Sequence, residues 1–381
     1  MKISILAPNL SSNSTCRAWM LAKILQKHYD IEIIGPTFGK ELWYPVQFDS
    51  SMFKIIEGRN IFKITKNILK AINGDVLYAI KPLFTSYGVA LLKRKITKMP
   101  LVLDIDDWEI GFIFNKIKKL NLNTANFLFF SIIHPFYPGS FFNAFFTKLV
   151  SLADEITVSN TFLRKKFGGV IIWHARDTDF LNPDKFDREQ LRRQYGIELQ
   201  KKIAIFLGTV REHKGLEYLI KAISLAKHPE LVLWIVGLEQ GLYKNRLENL
   251  CNQLLGDNFK IFGIQPLDKV PVFLAMSDIV IVPQQENLAT VGQVPAKVFD
   301  AMAMAKPIIA TNVSDLPQIL DSIGWIVESN NTERLAGVIK YILSNPLEAR
   351  AKGRLARNKC IENYSWIAME LVLKKIFDKY S

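Results

Sequence analysis

The sequence predicts an α/β protein with two Rossmann-like, doubly wound domains. The chain has 381 residues, which suits two domains with a core each at about 150 residues per domain. Short apolar runs alternate with amphipathic stretches, which is typical of parallel βαβ units. This alternation occurs twice, on either side of a polar stretch that contains the turn sequence Asn182-Pro183-Asp184. We therefore expect an N-terminal domain over residues 1–178 and a C-terminal domain over residues 179–364.

In the first half, short apolar runs predict the strands of one sheet. These runs cover residues 3–7, 31–35, 76–80, 101–105, 155–159 and 170–173. Helical patterns lie between several of them, for example at residues 17–29 and 87–97. The first run is too short for a signal peptide, so we interpret it as the first strand.

The second half repeats this pattern. Strands are expected at residues 202–207, 231–236, 259–262, 279–282, 307–310 and 325–327. Helices are expected at residues 188–195, 215–226, 244–255, 295–305 and 332–344, and a last helix at 365–381. Because open parallel sheets bind ligands at the carboxyl ends of their strands, the informative residues should directly follow strands.

Charge and cysteine content indicate which partners and which cellular compartment to expect. The formal net charge is +13 and is spread along the chain, which suits anionic partners such as nucleotide diphosphates or an anionic membrane surface. No zinc-finger, RRM-like or helix-turn-helix signature is present, so nucleic acid is not an expected partner. The cysteines Cys16, Cys251 and Cys360 are far apart and form no CxxC pair, which indicates a reducing, cytoplasmic location and no structural zinc.

An ordered set of motifs follows the strands of the second half. They span residues 208–215, 236–241, 261–264, 277–283 and 295–311. In this order and spacing they resemble the family 4 retaining glycosyltransferases, which have the GT-B fold. The resemblance covers the chain from about Leu152 onwards, whereas the first 150 residues match in their α/β rhythm and a few positions.

The resemblance implies both a fold and an activity. The fold would consist of two facing Rossmann-like domains, with the C-terminal helix crossing back to the N-terminal domain. The activity would be retaining transfer of a sugar from a nucleotide-diphosphate donor to a glycan or lipid-linked acceptor, in surface polysaccharide or glycolipid synthesis. The nucleotide sugar would be a co-substrate, and neither a metal ion nor another cofactor is expected. A sugar-nucleotide epimerase of the same fold and a non-catalytic, sugar-nucleotide-binding subunit remain as alternatives.

Two cations follow the first strand of the second half and precede a helix. Cations there can face a diphosphate beside helix-end N–H groups and stabilise its charge as it leaves. The family uses a lysine at the position of Lys214, and Gly208 opens the same motif. It often has an arginine where this chain has Thr209, so Arg211 is either its substitute or a solvated turn residue.

The resemblance places further donor-binding residues around the segment 290–300. The family has a glutamate at the position of Asp300 that accepts hydrogen bonds from the donor ribose, and Lys297 lies in the Pro-x-Lys stretch before it. A second family glutamate would fall at Gly292, so the pair is not intact, and Glu286 is an alternative with different spacing.

Backbone groups complete the expected donor site. Main-chain N–H groups of the loop at Gly292 and Gln293 would hold the diphosphate and sugar. The main chain at Ile264 would cradle the nucleotide base. The segment 171–179, which contains His174 and Arg176, resembles the family's interdomain connection. We interpret it as structural, and contact of His174 or Arg176 with a ligand is the alternative.

The acceptor side is expected in the first half. Ser12 and Asn13 stand where the family has a glycine-rich loop, although Ser14 or Thr15 can instead cap the next helix. After the strand 101–105, Asp106 stands at the position of a family histidine, where a carboxylate can orient acceptor hydroxyls or stabilise an oxocarbenium-like centre.

Two neighbours of Asp106 extend this expected acceptor site. Asp107 lies beside it, and Trp108 can stack on a sugar face. Helix capping by the aspartates is the alternative. Asp104 and Asp106 also form a D-x-D sequence, but the two-domain pattern argues against a metal role.

An aromatic-rich stretch at residues 127–146 follows the basic residues Lys116, Lys118 and Lys119. It can lie in a membrane interface, which fits a lipid-linked acceptor, or it can form part of the domain core. We therefore expect a cytoplasmic protein that associates peripherally with the inner face of the membrane if the first interpretation holds.

Overall fold

The computed structural model describes residues 1–117, 126, 129 and 140–381. These residues form two compact units. Unit 1 consists of Met1–His174, Val291–Gln293 and Met369–Ser381, and unit 2 consists of Ala175–Thr290 and Val294–Ala368. The sequence-based division lay after residue 178, whereas the structure divides the chain after His174 and assigns the short segment Val291–Gln293 to unit 1. Most of the aromatic-rich stretch 127–146 lies outside the described residues.

Unit 1 contains a seven-stranded parallel sheet with the strand order β3-β2-β1-β4-β5-β6-β7. Its strands are β1 Lys2–Leu6, β2 Asp30–Pro36, β3 Phe53–Ile56, β4 Val76–Ile80, β5 Leu101–Ile105, β6 Glu155–Val158 and β7 Val170–Ile171. Strand β3 was not predicted, because it is a short edge strand in which only Phe53 is buried. Strand β7 is shorter than predicted, because the carbonyls of Ile172 and Trp173 accept hydrogen bonds from Arg17.

The helices of unit 1 lie between these strands. They are α1 Ser14–Leu25, α2 Ile61–Ala71, α3 Val89–Thr97, α4 Glu109–Ile117 and α5 Thr161–Phe167. Apolar side chains of α2 such as Ile64 and Ile68 are fully buried against the sheet, as its amphipathic pattern requires. Within the described ranges, no helix is long and apolar enough to cross a membrane.

Unit 2 contains a six-stranded parallel sheet with the order β10-β9-β8-β11-β12-β13. Its strands are β8 Lys202–Leu207, β9 Leu231–Val236, β10 Phe259–Phe262, β11 Ile279–Val282, β12 Ile308–Thr311 and β13 Trp325–Val327. The α-helices of unit 2 between residues 188 and 363 follow in chain order. They are α6 Arg188–Gln194, α7 Leu216–Ala226, α8 Leu242–Leu255, α9 Val270–Met276, α10 Lys297–Ala303, α11 Leu316–Ile319, α12 Thr332–Ser344 and α13 Pro346–Asn363. Helix α10 begins two residues later than predicted, so Pro295 precedes it and is not its first residue.

The last helix, α14 Trp366–Phe377, belongs to unit 1 from Met369 onwards. The Tyr29 hydroxyl donates a 2.6 Å hydrogen bond to Asp378, and Lys27 forms a 2.7 Å ion pair with Glu370. The Phe377 ring packs 5.2 Å from the Tyr78 ring. These contacts hold the C-terminal residues against unit 1, as the fold class predicted.

Candidate functional site

The sheet topology marks one edge in each unit as the place for a site. The strand order reverses between β1 and β4 in unit 1, and between β8 and β11 in unit 2. Such a reversal opens a crevice at the carboxyl ends of the strands. Polar and charged side chains collect there in both units. We call Lys214, Lys297 and Gln284 of unit 2 the cation cluster, and Lys81, Asp106, Asp107 and Glu109 of unit 1 the carboxylate cluster.

Lys297 of the cation cluster is a buried lysine. Its residue is 8% exposed, and its Nζ makes no hydrogen bond within the described part of the chain. A Cβ placed on Gly208 would lie 3.4 Å from this Nζ, so the ammonium group sits directly against the loop that follows β8. Burial lowers the pKa of Lys297 well below its usual range, and the charge of Lys214 lowers it further, against an opposing effect of Asp300. An anion bound beside Nζ would relieve both effects.

Lys214 lies in the turn between β8 and α7. Its Nζ donates a 3.0 Å hydrogen bond to the side-chain oxygen of Gln284, which follows β11. The next residue, Gly215, has φ of +72°, and a Cβ there would lie 1.9 Å from the Pro283 carbonyl oxygen. Only glycine fits this close approach, which fixes Lys214 beside the end of β11. The structure thus brings together Lys214, Lys297 and Gly208, all three of which were candidates from the sequence.

Asp300 forms a two-point ion pair with Arg176. The guanidinium Nε donates to Oδ1, and a second nitrogen donates to Oδ2 at 3.2 Å. Arg176 also donates to the carbonyls of Ala175 and Ala296, so it ties the start of unit 2 to the start of α10. The carboxylate of Asp300 is thus bound by an arginine that we had interpreted as structural, and its role towards a donor ribose stays a prediction.

The other two donor-side candidates of unit 2 differ in their surroundings. The Arg211 side chain is 54% exposed and forms a 3.1 Å ion pair with Glu239, which favours the solvated alternative. Ile264 follows β10, and its backbone N–H and C=O make no hydrogen bond within the residues described. They remain able to pair with a ligand, as expected for a nucleotide base.

The carboxylate cluster is organised around Lys81, which the sequence did not suggest. Its Nζ lies 2.6 Å from Asp107, 2.7 Å from Glu109 and 3.3 Å from Asp106. Burial alone would lower the pKa of Lys81, but the three carboxylates outweigh burial and raise it well above its usual range. Lys81 follows β4 and has φ of +65°, so a strained turn aims its side chain at the end of β5.

The two adjacent aspartates of this cluster have opposite pKa shifts. Burial raises the pKa of Asp106 to about 7, and the nearby charges of Asp107 and Asp104 add to this against Lys81. Asp106 Oδ1 accepts no hydrogen bond from the described residues. Burial also acts on Asp107, but the charge and hydrogen bond of Lys81 and the Gln293 amide lower its pKa to about 2. Asp107 is thus a fixed anion, whereas Asp106 can change its protonation state near neutral pH.

Asp104 has a structural role that separates it from Asp106. It is fully buried, and its carboxylate accepts 2.9 and 2.8 Å hydrogen bonds from Arg17 and a 2.7 Å bond from Thr157. The same Arg17 also donates hydrogen bonds to the carbonyls of Ile172 and Trp173, which follow β7. The D-x-D sequence therefore contains one aspartate bound by Arg17 and one, Asp106, whose Oδ1 lies 3.3 Å from Lys81 and accepts no hydrogen bond from the described residues.

Gly292 and Gln293 lie with unit 1, beside the acceptor-side candidates. A Cβ on Gly292 would lie 2.7 Å from the Trp108 Cβ, and the Gly292 carbonyl accepts a 3.0 Å hydrogen bond from Asn160. The Gln293 amide donates a 2.8 Å hydrogen bond to Asp107. The structure thus groups these two residues with Asp107 and Trp108. The Trp108 Nε1 has no hydrogen-bond partner in the described chain.

The polar loop after β1 uses its side chains internally. The hydroxyls of Ser12, Ser14 and Thr15 donate to the Asn9 carbonyl at 3.0–3.2 Å. Helix α1 begins at Ser14, and Asn13 is its N-cap without a capping side-chain hydrogen bond. The alternative of a helix cap at Ser14 or Thr15 was therefore wrong, because the N-cap is Asn13. Exposed Asn13 keeps its amide at the surface, whereas the Ser12 hydroxyl is engaged.

Two functional contacts were missed for a common reason. Lys81 and Arg176 each follow a buried segment, but their partners lie far along the chain. The signal for Lys81 was present, since it directly follows a predicted strand. Its significance depends on β4 lying next to β5, which the sequence alone does not state.

Comparison with known proteins finds similarity to a glycosyltransferase family in the second half of the chain. Residues 187–363 match the family Glycosyl transferases group 1. The chain is 30% identical over 178 residues to the probable glycosyltransferase WbjE of Pseudomonas aeruginosa, covering 45% of this chain and 42% of WbjE. It is also 30% identical over 165 residues to the putative colanic acid biosynthesis glycosyl transferase WcaI of Escherichia coli, covering 42% and 40% of the two chains. These matches span less than half the length of either relative.

Solved structures match the whole chain in fold. A glycosyltransferase from Rickettsia africae ESF-5 superposes with a TM-score of 0.74 at 21% identity, covering 100% of this chain and 98% of that one. HepE from Anabaena, solved in complex with UDP-glucose, superposes with a TM-score of 0.77 at 16% identity and covers 100% of both chains. At this identity the likeness establishes the fold, which is GT-B with two α/β units.

Proposed function

We propose that unit 2, whose residues 187–363 match the family Glycosyl transferases group 1, binds a nucleotide-diphosphate sugar. We further propose that the protein transfers this sugar with retention of configuration. The acceptor would be a glycan or a lipid-linked glycan in surface polysaccharide or glycolipid synthesis. Two of the similar proteins support this assignment. WcaI is described as a colanic acid biosynthesis enzyme, and HepE was solved with UDP-glucose.

The observation that carries the proposal is the state of Lys297. A buried ammonium group without a hydrogen-bond partner is costly, and proteins retain such groups chiefly where a ligand completes the site. Lys214 lies close enough for its charge to lower the pKa of Lys297. Lys214 lies in the turn after β8, and Lys297 lies at the start of α10. Two positive charges brought close together in this way favour a multiply charged anion, which a nucleoside diphosphate provides.

The cation cluster suits the departure of a diphosphate. When the bond between the anomeric carbon and the phosphate oxygen breaks, negative charge grows on the leaving oxygen. Lys214 and Lys297 would stabilise that charge without reorganising, and without a metal ion. The acceptor oxygen forms the new bond to the anomeric carbon, and its proton passes to the leaving phosphate. The ribose hydroxyls would compete with Arg176 for Asp300, and the main chain at Ile264 would pair with the base.

Unit 1 would supply the groups for the acceptor. Asp106 Oδ1 accepts no hydrogen bond from the described residues and lies 3.3 Å from Lys81 Nζ, so an acceptor hydroxyl that donates to it would share this oxygen with Lys81. Lys81 would act as a positioning residue, because it holds Asp107 and Glu109 and lies 3.3 Å from Asp106. Trp108, whose indole nitrogen is also unpaired, would contact a sugar ring and donate to a hydroxyl.

A panel of nucleoside diphosphates and nucleotide sugars, with and without EDTA, tests this function. The expected result is a rise in unfolding temperature with one base, unaffected by EDTA and lost in Lys214→Ala. Release of the nucleoside diphosphate would then be followed with candidate acceptors, and NMR of the product would give the anomeric configuration. Product formed without an acceptor would instead indicate an epimerase. Binding without turnover or slow donor hydrolysis would indicate a non-catalytic subunit.

A further inference from the structure

We propose that the outer face of α2 and α3 in unit 1 is a docking surface for an anionic lipid bilayer. This proposal goes beyond the transfer reaction and does not depend on it. The face contains a groove of about 560 Å³ between the two helices. We call it the apolar groove; its apolar lining residues are Ile61, Phe62, Leu69, Phe84, Leu92 and Ile96.

The apolar groove exposes large side chains that the core does not require. Helix α2 buries Ile64 and Ile68 completely against the sheet, so its packing is satisfied by that face. On the other side, Phe62 is 78% exposed and Ile96 is 73% exposed, while Leu92 is also exposed. Scattered exposed apolar residues are ordinary, but these three line one groove. A contiguous patch of this kind indicates contact with a second apolar phase.

A set of cations surrounds the apolar groove. Neither α2 nor α3 contains an acidic residue. The basic residues are Lys63, Lys66 and Lys70 on α2, and Lys93, Arg94 and Lys95 on α3. Lys93 donates to the carbonyls of Leu69 and Ile72, and Arg94 pairs with Asp154. The exposed Lys66 and Lys70 form no ion pair within the described residues, so their charges face solvent beside the apolar lining.

The apolar groove together with the lysines beside it, which we call the lysine rim, indicates what kind of partner binds this face. A bilayer with anionic headgroups offers negative charge at the depth of the lysines and hydrocarbon at the depth of Phe62 and Ile96. A second copy of this chain would bring one lysine rim against another, which disfavours self-association. Nucleic acid would leave the apolar lining without a partner. The described helices are too short or too polar to span a membrane, so the contact would be peripheral.

Vesicle flotation with the full chain tests this proposal directly. Vesicles of phosphatidylcholine alone are compared with vesicles that also contain phosphatidylglycerol, at low and high salt. The expected result is binding to the anionic vesicles at low salt, and release by salt. The double variant Lys66→Glu with Lys70→Glu should lower partitioning by roughly tenfold or more, because four units of charge change near the headgroups. Phe62→Ser with Ile96→Ser should also weaken binding, but should leave the salt dependence in place.

Matched controls separate this surface from the net charge of the protein. Lys221 on α7 and Lys340 on α12 are exposed lysines of a helix pair in unit 2. Lys221→Glu with Lys340→Glu makes the same change in net charge and should retain vesicle binding. Lys66→Arg with Lys70→Arg keeps the charge on the surface and should also bind. Unfolding temperatures of all variants establish that each is folded.

The vesicle experiments decide whether the outer face of α2 and α3 binds a membrane, and their results do not depend on the proposed donor site. Failure of the wild-type protein to bind anionic vesicles at low salt would overturn the proposal, as would equal loss in the control pair from unit 2. Binding that phosphatidylcholine alone supports, or self-association through the same face, would also overturn it. Nucleoside diphosphate binding, measured on the same variants, should be unchanged, so a failed membrane test leaves the proposed reaction untouched.

Discussion

The ammonium nitrogen of Lys297 lies 3.2 Å from the centroid of the Phe206 ring. A ring face attracts a cation, so Phe206 gives this buried charge its closest favourable contact in the described residues. The contact replaces only part of the hydration that burial removes. Lys297 is therefore held in a costly environment that a bound diphosphate would improve, and this arrangement links stability to ligand binding.

Replacing Lys297 by methionine should stabilise the ligand-free protein while removing donor binding. Methionine fills a similar volume against Phe206 and has no charge to bury. We expect the unfolding temperature to rise by roughly 2–4 °C, corresponding to about 1 kcal/mol for a domain of this size. Differential scanning fluorimetry with and without nucleoside diphosphate measures both effects. A lower unfolding temperature together with intact binding would contradict the assigned role.

Lys306 provides a matched control for that substitution. It is half-buried, and desolvation lowers its pKa to about 7, but its Nζ donates to the carbonyls of Ala275 and Ser277 at 3.1 and 3.0 Å. It precedes β12 and so lies at the opposite edge of the sheet from the cation cluster. Lys306→Met should destabilise the protein, because both carbonyls lose a donor, and should leave nucleotide binding intact.

The advantage of Lys297→Met should depend on pH. The folded-state pKa of Lys297 is lowered, whereas an unfolded lysine keeps its proton up to about pH 10.4. The unfolded state then binds more protons between these two values, so the wild-type protein gains stability as pH rises through that window. We expect the difference in unfolding free energy between variant and wild type to be largest below the lowered pKa and to shrink towards pH 10. A difference independent of pH would show that Lys297 is not buried as a cation.

Asp300 should recognise the ribose in competition with Arg176. Asp300→Ala is expected to lower affinity for a nucleoside diphosphate more than for its 2′,3′-dideoxy analogue, because only the diol can use the carboxylate. It should also destabilise the protein by about 3 kcal/mol, since it removes the carboxylate that binds the largely buried Arg176 guanidinium. Isothermal titration with both ligands separates these effects. Equal losses for the two ligands would mean that the carboxylate serves Arg176 alone.

Asp106 should give the reaction a titration near neutral pH. Its pKa is raised to about 7 by burial and by neighbouring carboxylates. If the ionised form accepts the acceptor hydroxyl, kcat/KM for the acceptor should fall as pH drops below 7, when Asp106 takes up its proton. Asp106→Asn should lower the rate and remove this inflection. An unchanged inflection in the variant would assign the titration to another group.

Lys81 should control how the stability of unit 1 depends on pH. Lys81→Met leaves Asp106, Asp107 and Glu109 without their shared cation, so burial and the neighbouring charges should raise the folded-state pKa of Asp107 from about 2 to above its unfolded value. A carboxyl group with a raised folded pKa loses stability as pH rises from its unfolded value through its folded value. The variant should therefore lose more stability at pH 8 than at pH 5, while Lys81→Arg should stay closer to wild type. Parallel stability curves for wild type and Lys81→Met would contradict this.

The secondary structure could be predicted from the sequence where it depends on a local pattern of apolar and polar residues. Each expected strand is present, because a buried parallel strand is a short apolar run between polar stretches. The edge strand Phe53–Ile56 was missed, since its exposed side chains lack that signal. The cations Lys214 and Lys297 could be singled out because they lie in motifs with a recognisable order, one in the turn after β8 and the other at the start of α10.

The side-chain partners were not predictable, because they depend on sheet order and on distant segments. Arg17 reaches Asp104 across 87 positions, and Gln293 reaches Asp107 across 186. Nothing near Arg176 in the sequence indicates that it binds Asp300. The close approach of Gly292 to Trp108 could not be predicted from the sequence either. It explains why position 292 has a glycine, because a Cβ there would lie 2.7 Å from the Trp108 Cβ.

The most direct test of the donor site is calorimetric titration of the wild-type protein with nucleoside diphosphates, in the presence of EDTA and in two buffers of different ionisation enthalpy. Binding of a diphosphate beside Lys297 should raise its pKa, so one base should bind with uptake of protons from the buffer. That uptake should be absent in Lys297→Met, where binding is lost or strongly weakened. Binding that needs a metal ion, or equal affinity and proton uptake in the variant, would contradict the account.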